Sequence, residues 1–121
     1  MPTLRIALAQ LNVTVGALDA NRRRIAESIV RAKAWRADLL VVPELALTGY
    51  PPEDLLLKPQ FVDDAQHALR RLQPLAHGPA VVVGALDRNG QRLFNTAAIL
   101  TGGRWAAAYH KRCLPNYGVF D

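Results

Sequence analysis

Cysteine is almost missing from this 121-residue sequence, which contains one, Cys113. A single cysteine excludes an intrachain disulfide and a zinc cluster built from several cysteines, and such usage is typical of a reduced, cytoplasmic setting. No run of apolar residues approaches the roughly 20 that a membrane-spanning helix needs. The N-terminal stretch MPTLRIALAQLN carries Arg5 inside its apolar run, so we interpret it as a first strand and not as a signal peptide.

Patterns for nucleic acid, nucleotide and metal binding are missing as well. The net charge of +5 comes from scattered basic residues, and the one basic run, 22–24, lacks the neighbouring aromatic residues of a single-strand binding surface. The sequence contains no glycine-rich phosphate loop, and His67 and His77 do not have the spacing of a metal site. We therefore expect no nucleic-acid partner, no membrane partner, no metal, and no cofactor bound within this chain.

The apolar pattern that is present predicts an α/β fold with a mixed sheet. Residues 4–11 and 38–42 are predicted to be strands buried on both faces. Between them, apolar residues recur with a period near 3.6, which predicts a helix from an N-cap at Asp19 to about Arg36. A strand, a helix and a strand at this spacing form a βαβ unit, whose two strands should be parallel.

In the second half of the chain the pattern predicts a helix followed by strands that are joined by tight turns. Pro59 stands where helices favour a proline, and the helix that it begins should end at Gly78-Pro79. Asn89-Gly90 and Gly102-Gly103 indicate tight hairpin turns. The strands predicted on either side of these two turns are 80–86, 93–100 and 105–111.

Glu44 follows the second predicted strand directly, in the stretch VVPELALTGYPPEDLL. Ligands of open α/β sheets gather at the carboxyl ends of the strands. Apolar neighbours should disfavour the charged carboxylate and raise the pKa of Glu44 towards neutrality, which would suit a general base. Spacing alone also allows a structural carboxylate that caps a loop or pairs with an arginine, and it leaves both interpretations open.

The second informative stretch is YHKRCLPNYGVFD at residues 109–121. Lys111 is one of three lysines in the chain, and its ammonium could stabilise an oxyanion or lie on the surface. Tyr117 could offer its hydroxyl to a ligand or be a structural tyrosine. Cys113 could be a nucleophile, but no histidine is placed beside it by the pattern, which favours an inert thiol.

These two stretches together resemble a known family. VVPELALTGYPPEDLLLKPQF and HKRCLPNYGVFD are similar to the N-terminal part of the nitrilase-type glutaminase domain of glutamine-dependent NAD synthetases. LRIALAQLNVTVGALDANRRRI is similar to the first strand and helix of that superfamily, in which an Ala-Gln pair closes the strand. The resemblance spans residues 1–121 and implies the first half of an α-β-β-α sandwich, with a mixed sheet flanked by helices.

The resemblance also implies roles for individual residues. Members of this family use a Glu–Lys–Cys triad, and the motifs place its base on Glu44 and its lysine on Lys111. Tyr117 falls where the family binds the glutamine substrate, and Tyr50 matches a tyrosine near the ammonia route. Cys113 lies inside the lysine motif, where the family does not keep its nucleophile.

The nucleophilic cysteine of the family belongs to a later motif, so we expect the present chain alone to be inactive. The implied partners are glutamine and a synthetase domain that uses deamido-NAD, ATP and Mg²⁺, in a homo-oligomeric protein. We expect that synthetase domain to lie outside residues 1–121. Two alternatives are a non-catalytic half-domain that serves assembly and another amidase of the nitrilase superfamily.

Overall fold

A computed structural model describes residues 2–112 of the chain. It contains five strands, two α-helices and two short 3₁₀ turns. In chain order the strands and α-helices are β1 (Ile6–Leu8), α1 (Leu18–Ala34), β2 (Leu39–Val41), α2 (Pro59–Leu72), β3 (Ala80–Asn89), β4 (Arg92–Thr101) and β5 (Arg104–His110). The 3₁₀ turns cover Glu53–Leu57 and Gln73–Leu75.

The strands form one mixed sheet in the order β1-β2-β3-β4-β5. β1, β2 and β3 are parallel neighbours, while β4 and β5 are added antiparallel by hairpins. The prediction of an α/β fold with a parallel βαβ unit and a mixed sheet is therefore confirmed. Because β1, β2 and β3 run in the same direction, Glu44 after β2 lies at the carboxyl ends of the parallel strands.

Both helices pack against the same face of the sheet. Their apolar stripes include Ile25, Ile29, Leu69 and Leu72, each at most 1% exposed. These side chains meet alternate residues of the central strands, among them Val81, Val83 and Leu100, in one continuous core. The apolar stripes of period 3.6 on the helices face the alternate apolar residues of the strands, which explains why the interface between helices and sheet is buried.

The opposite face of the sheet, which we call the second face, lies outside this core. At one end of it Leu86 and Leu93 pack in a separate cluster that includes Val62 of α2. Residues paired across neighbouring strands point to the same side, and one such row joins residues of all five strands. That row consists of Leu8, Val41, Val82, Ile99 and Ala107. Leu8 is 72% exposed, so the prediction that the first strand is covered on both faces is wrong for the described residues.

Three predicted boundaries were also wrong, each for a local reason. Helix α1 begins at Leu18 without a side-chain cap, because Asp19 pairs with Arg22 and Arg23 in the first turn instead. Helix α2 ends at Leu72, before Pro74, which has no N–H to continue it. The first hairpin loop is Gly90-Gln91, one residue later than expected, because Asn89 pairs with Arg92.

The turn at Gly102-Gly103 was predicted correctly. Both glycines have a positive φ, 61° and 78°, as a two-residue hairpin loop of this kind requires. At these turns β4 and β5 lie within one residue of their predicted bounds, while β3 runs three residues past its predicted end at residue 86. No helix among residues 2–112 has the length and the apolar character that crossing a membrane would require.

Candidate active site

Glu44 is held by a loop that leaves β2 and folds back over the second face at Gly84. Ladder hydrogen bonding continues to Val42, whose N–H donates to the Val82 carbonyl at 2.9 Å. The next residue, Pro43, has no N–H and ends the ladder. Leu45 then adopts a φ of 48°, unusual for a residue with a branched side chain, while its side chain is completely buried. This turn leaves the Glu44 side chain at the surface of the sheet, 41% exposed.

A buried asparagine fixes the far end of this loop. Asn21 of α1 is completely buried, and its Nδ2 donates to the carbonyls of Thr14 at 2.8 Å and Leu47 at 3.0 Å. Its Oδ1 accepts the Thr14 N–H at 3.0 Å. Because a buried amide without partners would be costly, these three bonds tie α1 to the loops that follow β1 and β2.

Lys111 reaches Glu44 from β5, the strand at the far end of the strand order. It follows β5, and its N–H donates to the Asn95 carbonyl at 2.8 Å. The preceding residue, His110, is held on β5 by one contact with β3 and one with β4. Its Nε2 lies 2.7 Å from Asp87 Oδ2, and its ring stacks on Phe94 with 3.9 Å between the ring centroids. These contacts fix the backbone immediately before Lys111.

The structure brings Glu44 and Lys111 into direct contact, 67 residues apart in the chain. The Lys111 ammonium donates to Glu44 Oε1, and Asn95 Nδ2 donates to the same oxygen at 2.9 Å. The Lys111 hydrogen bond, and to a smaller extent Asn95 and the lysine charge, hold the pKa of Glu44 below its ordinary value against the opposing effect of burial.

The expected rise of the Glu44 pKa is therefore wrong. The apolar neighbours in sequence, Leu45 and Leu47, are buried elsewhere, while the carboxylate itself meets a cation and an amide donor. An opposite charge in contact favours the charged form more than partial burial disfavours it. Glu44 is consequently a carboxylate at neutral pH and can accept a proton without first losing one.

An open cavity of about 280 Å³ lies beside this pair on the second face. Besides Glu44 and Lys111 its walls include Val82 and Gly84 of β3, Asn95 and Ala97 of β4, and Tyr109 of β5. Its walls are mostly apolar, and Glu44, Asn95 and Lys111 are among the polar residues that line it. A small molecule with an amide group would have apolar contact and a charged pair within reach.

Other predicted site residues lie elsewhere. Tyr50 follows Gly49 in the loop after β2, is 46% exposed, and is not among the described residues of the cavity wall. Tyr117 and Cys113 lie outside the described residues. Within residues 2–112 no three side chains of the metal-binding kinds come together.

Sequence reasoning missed Asn95. The residue is 5% exposed and lies inside the apolar strand LFNTAAIL. Asparagine is depleted in strands, and a buried amide needs partners, so its presence there was a usable signal. Only the tertiary structure reveals that its partner is Glu44.

Comparison with known proteins identifies a family to which this chain is similar. The family model for the carbon-nitrogen hydrolases matches residues 5–120. A glutamine-dependent NAD(+) synthetase of Xanthomonas campestris pv. campestris is 48% identical over 120 residues, which is 98% of this chain. The chain spans 22% of the length of that relative.

Solved structures agree with the fold. The glutamine-dependent NAD+ synthetase of Acinetobacter baumannii, solved in complex with ADP, has a TM-score of 0.89 and 36% identity, and the match covers all of this chain and 23% of that one. A mutant amidase from Nesterenkonia sp. AN1, with the acetamide moiety of fluoroacetamide added to its active-site cysteine, has a TM-score of 0.81 and 26% identity. That match covers 98% of this chain and 47% of the amidase.

Proposed function

This chain belongs to the carbon-nitrogen hydrolase family, and on that premise we propose that it forms part of the glutaminase site of a glutamine-dependent NAD synthetase. The observation that carries the proposal is the contact between the Glu44 carboxylate and the Lys111 ammonium in the wall of a mostly apolar cavity. The 48% identity to a protein of that activity supports the choice of substrate.

In the proposed reaction Glu44 is the general base. It takes the proton of a thiol, and the resulting thiolate attacks the amide carbon of glutamine. Glu44 then gives the proton to the departing nitrogen, so that ammonia leaves and a thioester remains. Water hydrolyses the thioester to glutamate and restores the thiol. A carboxylate that is already charged at neutral pH is in the correct state to begin this cycle.

Lys111 is proposed to stabilise the tetrahedral oxyanion. Its ammonium lies on the Glu44 carboxylate in the described structure, within reach of a carbonyl oxygen placed in the cavity. When the oxyanion forms, the ammonium can share its charge with the new anion. The pKa of Glu44, which Lys111 holds down, then rises, so Glu44 keeps the thiol proton until it passes to the departing nitrogen.

The nucleophile is proposed to be a cysteine other than Cys113. The support is the motif resemblance, in which Cys113 falls inside the lysine motif. The covalent adduct on the active-site cysteine of the Nesterenkonia amidase supports a nucleophilic cysteine on this fold. By the same resemblance Tyr117 is proposed to bind glutamine, and Tyr50 to lie near the route that ammonia takes.

Ammonia is proposed to pass to a synthetase domain of the same protein, which amidates deamido-NAD. ATP with Mg²⁺ would activate deamido-NAD there, and the ADP in the Acinetobacter baumannii structure supports an adenine nucleotide as a ligand of such proteins. No role in that step is proposed for residues 2–112.

The second candidate is an amidase for another small amide, which the TM-score of 0.81 to the Nesterenkonia amidase favours. The two candidates differ in substrate and not in chemistry. Ammonia release from glutamine, compared with release from acetamide, separates them in one assay. Preference for glutamine supports the first candidate, and preference for acetamide supports the second.

The decisive experiment uses the protein expressed in full from its own gene. NAD formation is measured with glutamine and, separately, with ammonium chloride as the nitrogen source. Glu44→Gln and Lys111→Ala should abolish the glutamine-driven reaction and leave the ammonia-driven reaction intact.

Two exposed residues of α1 provide matched controls, Glu27→Gln and Lys33→Ala. Each removes the same charge away from the cavity and should leave both reactions unchanged. If the Glu44 and Lys111 variants lose both reactions equally, the glutaminase role is refuted.

A further inference from the structure

Asn95 contacts both members of the proposed catalytic pair. Its side-chain Nδ2 donates to Glu44 Oε1 at 2.9 Å, and its backbone carbonyl accepts the N–H of Lys111 at 2.8 Å. Glu44 follows β2 and Lys111 follows β5, so Asn95 on β4 links two segments that do not adjoin in the sheet. Because Asn95 is only 5% exposed, water competes little with it for these partners.

The two donors to Glu44 approach the same oxygen. Both Lys111 Nζ and Asn95 Nδ2 reach Oε1, and none of the donors described in residues 2–112 is bonded to Oε2. These two bonds restrict the rotation of the carboxylate, and among residues 2–112 they leave Oε1 occupied and Oε2 available. Because the available oxygen belongs to a side chain on the cavity wall, it is the oxygen that can meet a reacting proton.

We propose that Asn95 is a positioning residue that gives the two oxygens of Glu44 different tasks, Oε1 to hold Lys111 and Oε2 to carry the proton. The inference rests on the proposed function. In each turnover Oε2 accepts the thiol proton and delivers it to the leaving nitrogen, so that the carboxylate ends unprotonated. A carboxylate free to rotate would present either oxygen and would loosen its contact with Lys111.

The chemistry of asparagine explains why this residue type suits the position. An amide is uncharged at every pH in the working range, so its N–H₂ remains a donor whether Glu44 is charged or protonated. An aspartate of the same shape would place a second carboxylate against Oε1, and an alanine would remove the donor altogether. In both cases the charged form of Glu44 loses a stabilising hydrogen bond.

The test measures glutamine hydrolysis and the titration of Glu44 in the full protein. Asn95→Ala and Asn95→Asp should lower kcat on the order of 10- to 100-fold with little change in KM, because geometry is lost and not substrate contact. The acidic limb of the pH profile of kcat should move to higher pH, further for Asn95→Asp. Lys111 is the charged group that faces Glu44 among residues 2–112, and it is retained in both variants.

The titration is followed by ¹³C NMR of carboxyl-labelled glutamate, with the Glu44 signal identified by its loss in Glu44→Gln. Its midpoint should rise in both variants and remain unchanged in Asn89→Asp, a matched control at the exposed end of β3. Thermal melts are compared first, and Asn95→Ser takes the place of any variant that does not fold, with the same expected shift.

An unchanged Glu44 midpoint, or a kcat that is retained in the Asn95 variants, would overturn the inference. Failure of the wild-type protein to hydrolyse glutamine would refute the proposed function, while the titration would still decide whether Asn95 positions Glu44. Loss of kcat with no movement of the pH profile would indicate a merely structural role and would also count against the inference.

Discussion

Gly84 and Glu44 are in contact through their backbones. A Cβ atom added at Gly84 would lie 2.2 Å from the Pro43 carbonyl oxygen, 2.3 Å from the Leu45 nitrogen and 2.7 Å from the Glu44 carbonyl carbon. All three atoms are backbone atoms, so no side chain can swing away to make room. The loop that presents the carboxylate therefore requires the absence of a side chain on β3.

Gly84→Ala should displace the Glu44 loop from the sheet. We expect a loss of about 1–3 kcal/mol in the free energy of unfolding and a fall in glutaminase kcat on the order of 100-fold, because a small displacement at a reacting group is costly. Denaturant melts and ammonia-release assays measure the two effects. Gly90→Ala is the control, since its Cβ would meet nothing within 4 Å, and it should affect stability alone through its positive φ.

The Glu44–Lys111 ion pair should make stability depend on pH. The pKa of Glu44 is lowered in the folded state, so the pair's contribution is fully present above the ordinary value of 4.5. It is lost as the pH falls through the lower native pKa. Lys111→Met removes the pair, and its difference from wild type in the free energy of unfolding should shrink on acidification. A difference that stays constant from pH 7 to pH 2 would contradict this expectation.

Asn21 should be important for stability out of proportion to its size. Asn21→Ala leaves the Thr14 N–H and the carbonyls of Thr14 and Leu47 without this partner, and we expect a cost of about 3 kcal/mol. Asn12→Ala, on the exposed part of the same loop, should change stability by less than about 0.5 kcal/mol. Urea unfolding of the two variants provides the comparison, and equal effects would disprove the anchoring role.

A chain of residues 1–121 should associate through its second face. Leu8 on edge strand β1 is 72% exposed and Tyr109 on β5 is 60% exposed, and an apolar face beside an open strand edge favours association. Leu8→Lys should reduce the association, whereas Val30→Lys, 63% exposed on α1, should not. Sedimentation velocity measures both, and a monomeric wild type with a cooperative melt would contradict the expectation.

The same chain should show no glutaminase turnover, because the nucleophile is proposed to be a cysteine other than Cys113. Ammonia release from glutamine is the assay, and the protein expressed in full from its own gene is the positive control. Turnover by the 121-residue chain that is abolished by Cys113→Ser would establish Cys113 as the nucleophile.

Local patterns in the sequence were sufficient for the element types and their order. Alternation, a helical period and Gly-Gly or Pro signals act between neighbouring residues, so the βαβ unit and the turn at Gly102-Gly103 could be predicted. The position of Glu44 after a parallel strand was predictable for the same reason. Boundaries were less predictable where a side chain had a choice of partners, as Asp19 did between capping α1 and pairing with Arg22.

The tertiary structure alone decided the charge and the partners of the site. The residues next to Glu44 in sequence suggested an apolar setting and a raised pKa, but its neighbours in space are Lys111 and Asn95, 67 and 51 positions away. Contacts of that range depend on how strands from distant segments pair, and Coulomb and hydrogen-bond energies depend on distance in space and not along the chain. The sequence by itself therefore determined which groups the site could contain, and the fold determined which of them meet.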